Sequence, residues 1–252
     1  MTVSPSASPA TAAVAAPSLW ARAVRVFVRP AAAWTGLESR AAWWFPMVLV
    51  AIVTSATMLV VYEKSYLPMM TEGIERQAAD GQMTPQQLER TEAFFSGPAG
   101  RAINVGFQIV GVVILTLFTG LVVWLGGAFI LGREGFGYRR ALEVAAWSGL
   151  VTLPGFLLHN LLAYVRELPI REVHVGFGAL LSEPETPTRM STFLGALLDG
   201  IGPLSVWFVA VASLGLAALS GAPRKASATV MAILYLVMVV AGAGLATLSV
   251  RG

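Results

Sequence analysis

The sequence has no cysteine and few charged residues. The absence of cysteine among 252 residues excludes disulfide bonds and thiolate metal sites. Charged residues account for only 12% of the chain, whereas hydrophobic residues account for 56% and the mean hydropathy is +0.71. A soluble globular protein needs more polar surface than such a composition can supply. The composition therefore predicts an integral membrane protein.

Residues that could perform catalysis or bind a metal are also scarce. The chain has only two histidines, His159 and His174, and neither has a partner at the spacing that metal ligands require. Catalytic sites need several polar groups that converge. The stretch GREGFG at 132–137 follows an apolar run instead of a strand, so it predicts a turn and not a phosphate-binding loop. We therefore expect no catalytic, cofactor or metal site, no nucleic-acid partner and no enzyme.

Five uncharged runs are long enough to span a bilayer. A helix that rises about 1.5 Å per residue needs about 20 apolar residues to cross a hydrocarbon core of about 30 Å. The predicted crossings are at about 42–62, 104–131, 143–164, 201–221 and 228–249. The sequence thus predicts an all-α integral membrane protein. It has a disordered tail at 1–17, an amphipathic segment at 18–40 and one five-helix membrane domain at 41–252.

The positions of arginine and lysine predict how the crossings are oriented, because basic loops resist translocation. Basic residues dominate the segment before the first crossing and the connections after the second and fourth crossings, whereas acidic residues dominate the other two connections. We therefore expect a cytoplasmic N-terminus and a C-terminus outside. Arginine far outnumbers lysine and alanine is abundant, as is typical of GC-rich bacterial genomes. This suggests the bacterial inner (cytoplasmic) membrane.

The segment at 18–40 begins with a pattern typical of an interfacial amphipathic helix. Trp20 and Phe27 lie on an apolar face, and Arg22, Arg25 and Arg29 lie on the opposite face. The pattern predicts contact between these arginines and anionic lipid headgroups, each cation adding about 1 kcal/mol near the surface. The alternative is that the helix packs against another part of the protein.

The first outer connection carries the signals of a short helix. Thr84 can cap its start, Pro85 suits the first helical position and Gln87 completes a capping box. We expect this outer helix to lie against the membrane face. The stretch at 166–198 carries no pattern that assigns its structure.

A carboxylate, Glu143, lies one turn into the predicted third crossing. Arg139 and Arg140 precede it within side-chain reach on a helix. This spacing favours an ion pair at the inner membrane boundary over a functional carboxylate. The two arginines also extend the basic side that would contact lipid or a partner.

Other polar or kink-forming residues follow in the same crossing. Pro154 interrupts it and predicts a kink. His159 and Asn160 form a polar pair near its outer end, within reach of interfacial water. A water-accessible cavity beside Pro154 would favour a transporter of small molecules or ions, because such sites use broken helices. His174 is expected to be an exposed loop residue.

Four stretches resemble bacterial members of the Ypt-interacting-protein (YIP) family. The first is RVFVRPAAAWTGLESRAAWWFPMVLV, in which the family's proline, aromatic residue and proline-bearing helix correspond to Pro30, Trp34 and Pro46. The others are MTPQQLERTEAFFSGPAGR, FGYRRALEVAAWSGLVTLPGF and LLDGIGPLSVWFVAVASLGLAALSGAPRKA. Together they cover nearly the whole chain. One departure is local: Asp199 is followed by GIGPLSVW, where the family commonly has an aromatic residue and a threonine before the tryptophan.

The resemblance implies a five-helix fold with a cytoplasmic N-terminus. Eukaryotic relatives associate with prenylated Rab-type GTPases and take part in vesicle traffic and membrane shaping. For this chain the resemblance implies a non-enzymatic membrane organiser or adaptor that contacts lipid or a protein partner. That partner is either a second copy of the chain or another membrane protein.

Overall fold

The computed structural model of the chain describes residues 16–37, 40–168, 170, 173–181 and 188–249. Nearly all of the tail predicted at 1–17 lies outside these residues, as do parts of the stretch at 166–198. Every structural statement below concerns the described residues.

The described residues form ten α-helices and no strand, which confirms the all-α prediction. The helices are α1 Leu19–Val28, α2 Trp44–Val61, α3 Leu67–Ala79, α4 Pro85–Ser96, α5 Pro98–Leu125, α6 Tyr138–Gly149, α7 Leu153–Arg166, α8 Arg189–Asp199, α9 Pro203–Ser220 and α10 Arg224–Ala246. Short 3-10 turns lie at Pro30–Ala33, Leu150–Thr152, Phe177–Leu180 and Thr247–Ser249, and π-helical turns lie at Tyr62–Tyr66 and Gly126–Ile130.

Five helical segments of the described chain are long and apolar enough to cross a membrane. They are Trp44–Ala79, Pro98–Ile130, Tyr138–Arg166, Pro203–Ser220 and Arg224–Ala246. The predicted number and order of crossings are therefore confirmed, although the first three segments are longer than predicted. The first has 36 residues. At about 1.5 Å per residue it exceeds a hydrocarbon core of about 30 Å, so one end must project beyond the core.

The projecting end is a helical hairpin of α3 and α4, and we call this end of the bundle the hairpin end. Helix α4 is the outer helix that the sequence predicts. Its capping box is formed as expected, since the Thr84 hydroxyl accepts from the Gln87 amide at 3.3 Å and Gln87 Oε1 accepts from the Thr84 amide at 2.8 Å. The Tyr62 hydroxyl donates to the Phe95 carbonyl at 2.9 Å, which ties α4 to the bundle.

An exposed ion pair also lies at the hairpin end. Glu167 follows α7 in the left-handed conformation, at φ 54°, and its Oε1 lies 2.7 Å from Lys64 Nζ. The ammonium lowers the pKa of the Glu167 carboxyl. Both side chains are largely exposed, so the pair contributes little to stability.

The third crossing is interrupted where the sequence predicts a kink. Helix α6 ends at Gly149, a 3-10 turn follows, and Pro154 is the second residue of α7. A proline at this position is tolerated because the first amides of a helix have no intrahelical acceptor. The crossing therefore consists of two helices, and α6 is buried on almost every side.

The main hydrophobic core lies at the end of the bundle opposite the hairpin, which we call the α1 end. It combines residues of α1, the 3-10 turn after α1, α6 and α9. Its largest fully buried side chains include Trp34, Phe136 and Trp147. Trp147 is completely buried.

Candidate functional site

Helix α1 is the amphipathic helix that the sequence predicts, but it is shorter than the segment at 18–40. Ser18 caps its start by accepting from the Ala21 amide at 3.2 Å. It ends at Val28, because Pro30 starts a 3-10 turn and disfavours helix for the residue before it. The chain then folds back beneath the helix toward α2.

The face of α1 that points away from the bundle is apolar. Trp20, Val24 and Val28 are 64%, 60% and 66% exposed, and Phe27 is also exposed. The Trp20 ring makes an edge contact with Phe45, with centroids 5.1 Å apart. The opposite face is buried against the bundle. An exposed face of large apolar side chains at the end of a membrane bundle is suited to the acyl boundary of the bilayer.

Arg22 lies on the buried face, which corrects the prediction that it contacts lipid headgroups. It is only 3% exposed. Its guanidinium donates to the carbonyls of Ala33 and Thr35, the latter at 2.9 Å, and lies 5.6 Å from the centroid of the Trp147 ring. The physical reason is that the turn after α1 leaves carbonyls that need donors, and an arginine has five N–H groups to supply them.

Arg25 and Arg29 differ from Arg22 in their exposure. Arg25 is half-buried and Arg29 is exposed. Both lie beside the apolar face, so their contact with headgroups remains a prediction. Arg139 is partly exposed and its Nη1 lies 3.4 Å from the Leu37 carbonyl, while Arg140 Nη1 reaches the Leu219 carbonyl at 3.4 Å.

Trp34 packs the turn after α1 against the bundle. Its side chain is almost completely buried against α9. A Cβ atom at Gly215 would lie 2.6 Å from the indole ring, so α9 can receive this tryptophan only where a glycine leaves room. The resemblance to the YIP family marks Trp34, but the sequence gives no signal for the partner.

Glu143 is buried in the core at the α1 end. It has no exposed surface. Its Oε1 accepts from the Ala42 amide at 2.7 Å and its Oε2 accepts from Trp147 Nε1 at 3.1 Å, while Arg139 Nη1 lies farther away, at 3.8 Å. Ala42 lies two residues before the start of α2, so the carboxylate holds the chain at the entry to that helix.

The predicted ion pair with Arg139 is present, but Glu143 is completely buried instead of exposed at an interface. Helix α1 and the turn after it cover α6 at this position. The hydrogen bonds of Glu143 go mainly to a backbone amide and an indole, and only Arg139 of the two predicted partners is near. Because protein groups occupy both oxygens, this carboxylate connects α2 with α6 and is not placed to react with a substrate.

A partly open cleft of about 540 Å³ lies on the hairpin side of this core. Residues of α2, α5, α6, α7, α9 and α10 line it, and we call it the α7 cleft. It extends from Gly149 and Thr116 near the middle of the bundle to His159 and Asp199 near the hairpin end. Most of its lining is apolar, which differs from the polar, water-accessible cavity that a transporter would need.

The predicted polar pair lies at one end of the α7 cleft. His159 Nε2 donates to the Ile170 carbonyl at 2.9 Å. Asn160 is only 1% exposed; its Nδ2 donates to the Phe156 carbonyl at 2.9 Å, and its Oδ1 has no hydrogen-bond partner among the described residues. The expectation that both residues reach interfacial water is therefore wrong for Asn160.

His174 and Asp199 form a pair that sequence reasoning missed. His174 Nδ1 lies 2.5 Å from Asp199 Oδ2, and the His174 side chain is only 27% exposed, which corrects its prediction as an exposed loop residue. The segment at 173–181 packs tightly on the end of α8, because a Cβ at Gly176 or Gly178 would collide with Asp199. No local pattern could reveal a contact between residues 25 positions apart.

The described residues include no group of three His, Cys, Asp or Glu side chains that could hold a metal ion. The described residues thus offer two candidate sites of another kind. One is the docked amphipathic helix α1, and the other is the α7 cleft, which is apolar with a polar end.

Comparison with protein-family models finds a match over most of the chain. The Yip1 domain model matches residues 24–246, which begins inside α1 and ends with α10. The chain belongs to the Yip1 family. Comparisons with curated proteins and with solved structures gave no match. The five apolar helices and the family assignment together make this Yip1-domain protein a multi-pass membrane protein.

Proposed function

We propose that this Yip1-domain protein is a non-enzymatic membrane organiser or adaptor of a bacterial inner membrane. Its working surface is α1, which lies in the cytoplasmic interface and contacts anionic lipid headgroups. The observation that carries the proposal is the exposed apolar face of α1, with Arg25 and Arg29 beside it, on a helix that Arg22 holds to the bundle.

The charge distribution supports a cytoplasmic location for the α1 end. The arginines of α1 share this end with the basic connections before α6 and before α10, which carry Arg139, Arg140, Arg224 and Lys225. The hairpin end carries most of the acidic residues. This asymmetry follows the rule that basic loops stay in the cytoplasm.

The attachment of α1 to the bundle suggests how the protein would act on a membrane. A free amphipathic helix binds lipid reversibly, whereas α1 is fixed through the buried Arg22 guanidinium and Trp34 ring. Its apolar side chains would therefore occupy the headgroup and acyl boundary of one leaflet permanently. A protein of this kind would gather anionic lipid around itself, or present the lipid-bound helix to a partner.

The α1 arginines can be tested by measuring lipid selectivity. The full-length protein would be reconstituted with spin-labelled phosphatidylglycerol or phosphatidylcholine, and the motionally restricted fraction of each would be compared. We expect the wild type to prefer phosphatidylglycerol. In the double variant Arg25→Gln, Arg29→Gln this selectivity should be at least about fivefold lower, since each cation contributes about 1 kcal/mol near an anionic surface.

The matched control is Arg90→Gln, which removes an exposed arginine of α4 at the hairpin end. This variant should keep the wild-type selectivity. Equal selectivity of the wild type and the double variant would contradict the lipid role of α1.

Mild crosslinking in the native membrane, followed by purification, separates the two forms of the proposal, the membrane organiser and the adaptor, because an adaptor should be recovered with a protein partner. Recovery of neither a partner nor an enriched lipid would count against both forms.

A further inference from the structure

We propose that the α7 cleft binds one molecule of phosphatidylethanolamine, a phospholipid with a primary ammonium headgroup. This site is separate from the α1 surface and does not depend on the function proposed for it. The cleft runs from the middle of the bundle to the hairpin end, and its polar end suits an ammonium group.

The shape of the cleft fits a membrane amphiphile. Its volume of about 540 Å³ lies within the range of about 300–1,000 Å³ that is usual for small-ligand sites. Leu115 lines the cleft and is 60% exposed, so the cleft opens sideways on the apolar surface of the bundle. A lipid can therefore enter from the bilayer without crossing water.

The polarity of the lining changes along the cleft in the same way as the polarity of a phospholipid changes along its length. Val112, Leu115, Phe208 and Met238 are among the apolar lining residues, and polar groups gather at the hairpin end. An acyl chain would lie along the apolar part, and the headgroup would lie at the level of Asp199. The cleft thus has an apolar body and one polar end, as a phospholipid has.

The polar end carries one carboxylate. Asp199 is the one charged residue among the described residues that line the cleft; its Oδ2 lies 2.5 Å from His174 Nδ1 and its side chain is one-third exposed, so a ligand ammonium would share this carboxylate with the imidazole. Asn160 adds a buried Oδ1 that lacks a hydrogen-bond partner among the described residues. The hydroxyls of Ser205 and Tyr235 already donate to the Gly200 carbonyl, at 2.8 and 2.7 Å.

A primary ammonium group complements this arrangement. It carries one positive charge and three N–H donors, whereas the quaternary ammonium of phosphatidylcholine carries the same charge and no donor. The lipid phosphate has a place beside it, because α9 starts at Pro203 without a side-chain cap and lines the same end of the cleft. Amides at a helix start attract anions.

The headgroup dependence can be measured on the wild-type protein. Native mass spectrometry of the full-length protein in mild detergent would count bound lipid during titration with dioleoyl phosphatidylethanolamine, its N-methyl and N,N-dimethyl derivatives, and dioleoyl phosphatidylcholine. We expect one bound molecule and an affinity that falls with each methyl group. The primary amine should bind at least about tenfold more tightly than the quaternary one. Equal binding across the series would overturn the proposal.

Two variants locate the site. Asp199→Asn should abolish the preference for the primary amine while acyl-chain binding remains. Gly149→Leu should abolish binding of every lipid in the series, because Gly149 lines the cleft and a Cβ there meets no atom within 4 Å, so the added side chain fills the cleft.

The matched control is Gly111→Leu, at a glycine of α5 that also has no atom near its Cβ but does not line the cleft. This variant should bind phosphatidylethanolamine like the wild type. Retained binding in Gly149→Leu, or a retained headgroup preference in Asp199→Asn, would overturn the proposal. If Asp199→Asn does not fold, the headgroup series and Gly149→Leu still decide the matter.

Discussion

Replacing Glu143 with alanine is expected to lower the free energy of unfolding by about 3 kcal/mol or more. The change leaves two buried donors, the Ala42 amide and Trp147 Nε1, without an acceptor, and each unsatisfied buried group costs about 1–3 kcal/mol. It also opens a cavity in the core at the α1 end. The measurement is unfolding of the purified protein in mild detergent, followed by circular dichroism.

Two further variants make this test specific. Glu143→Gln should be intermediate, because the amide oxygen can still accept one hydrogen bond but the amide NH₂ then faces the second donor. Glu63→Ala removes an exposed carboxylate that pairs with Arg101 at 2.6 Å, and it should leave stability nearly unchanged. If Glu143→Ala were no more destabilising than Glu63→Ala, the buried role of this carboxylate would be contradicted.

The second large effect is expected from Arg22→Met, which should release α1 from the bundle. Methionine keeps an apolar side chain of similar length but leaves the carbonyls of Ala33 and Thr35 without the guanidinium donors. It also removes the cation from the face of Trp147. Together these losses should lower the free energy that holds α1 on the bundle by about 2–3 kcal/mol. Hydrogen exchange measured by mass spectrometry should show faster exchange at 19–28.

The control for this prediction is Arg25→Met, a change on the same helix at a half-buried arginine. Exchange at 19–28 should remain slow in that variant, and exchange in α5 and α10 should remain slow in both. Unchanged protection of α1 in Arg22→Met would mean that the guanidinium does not hold the helix.

Features that depend on neighbours along the chain could be predicted from the sequence. The five crossings follow from runs of uncharged residues, and the start of α4 follows from the spacing of Thr84, Pro85 and Gln87. The interruption before α7 follows from Pro154. In each case the physical cause acts within one helix, so the pattern of residues carries it.

Features that depend on distant contacts could not be predicted. Glu143 and Ala42 are 101 positions apart, and the sequence shows only that arginines precede the carboxylate by one helical turn. The amphipathic pattern placed Arg22 on the face predicted to contact lipid headgroups, but the turn after α1 supplies acceptors that bring this face onto the bundle.

The stretch at 166–198 is a mixed case. Helix α8 starts with a capping box between Thr188 and Ser191, a local signal that could have been used, although serine is not the usual residue at the second position. The pairing of His174 with Asp199 has no such signal. Residues 182–187 lie outside the described part of the chain.

The central claim is that the apolar face of α1 lies in the membrane interface, and the depth of a nitroxide tests it most directly. Because the chain has no cysteine, Val24→Cys can be spin-labelled alone in the full-length protein and compared with Arg90→Cys on α4 after reconstitution. The label at 24 should be accessible to oxygen and shielded from a water-soluble nickel complex, and the label at 90 should show the reverse. Equal exposure of the two labels to the nickel complex would contradict the account.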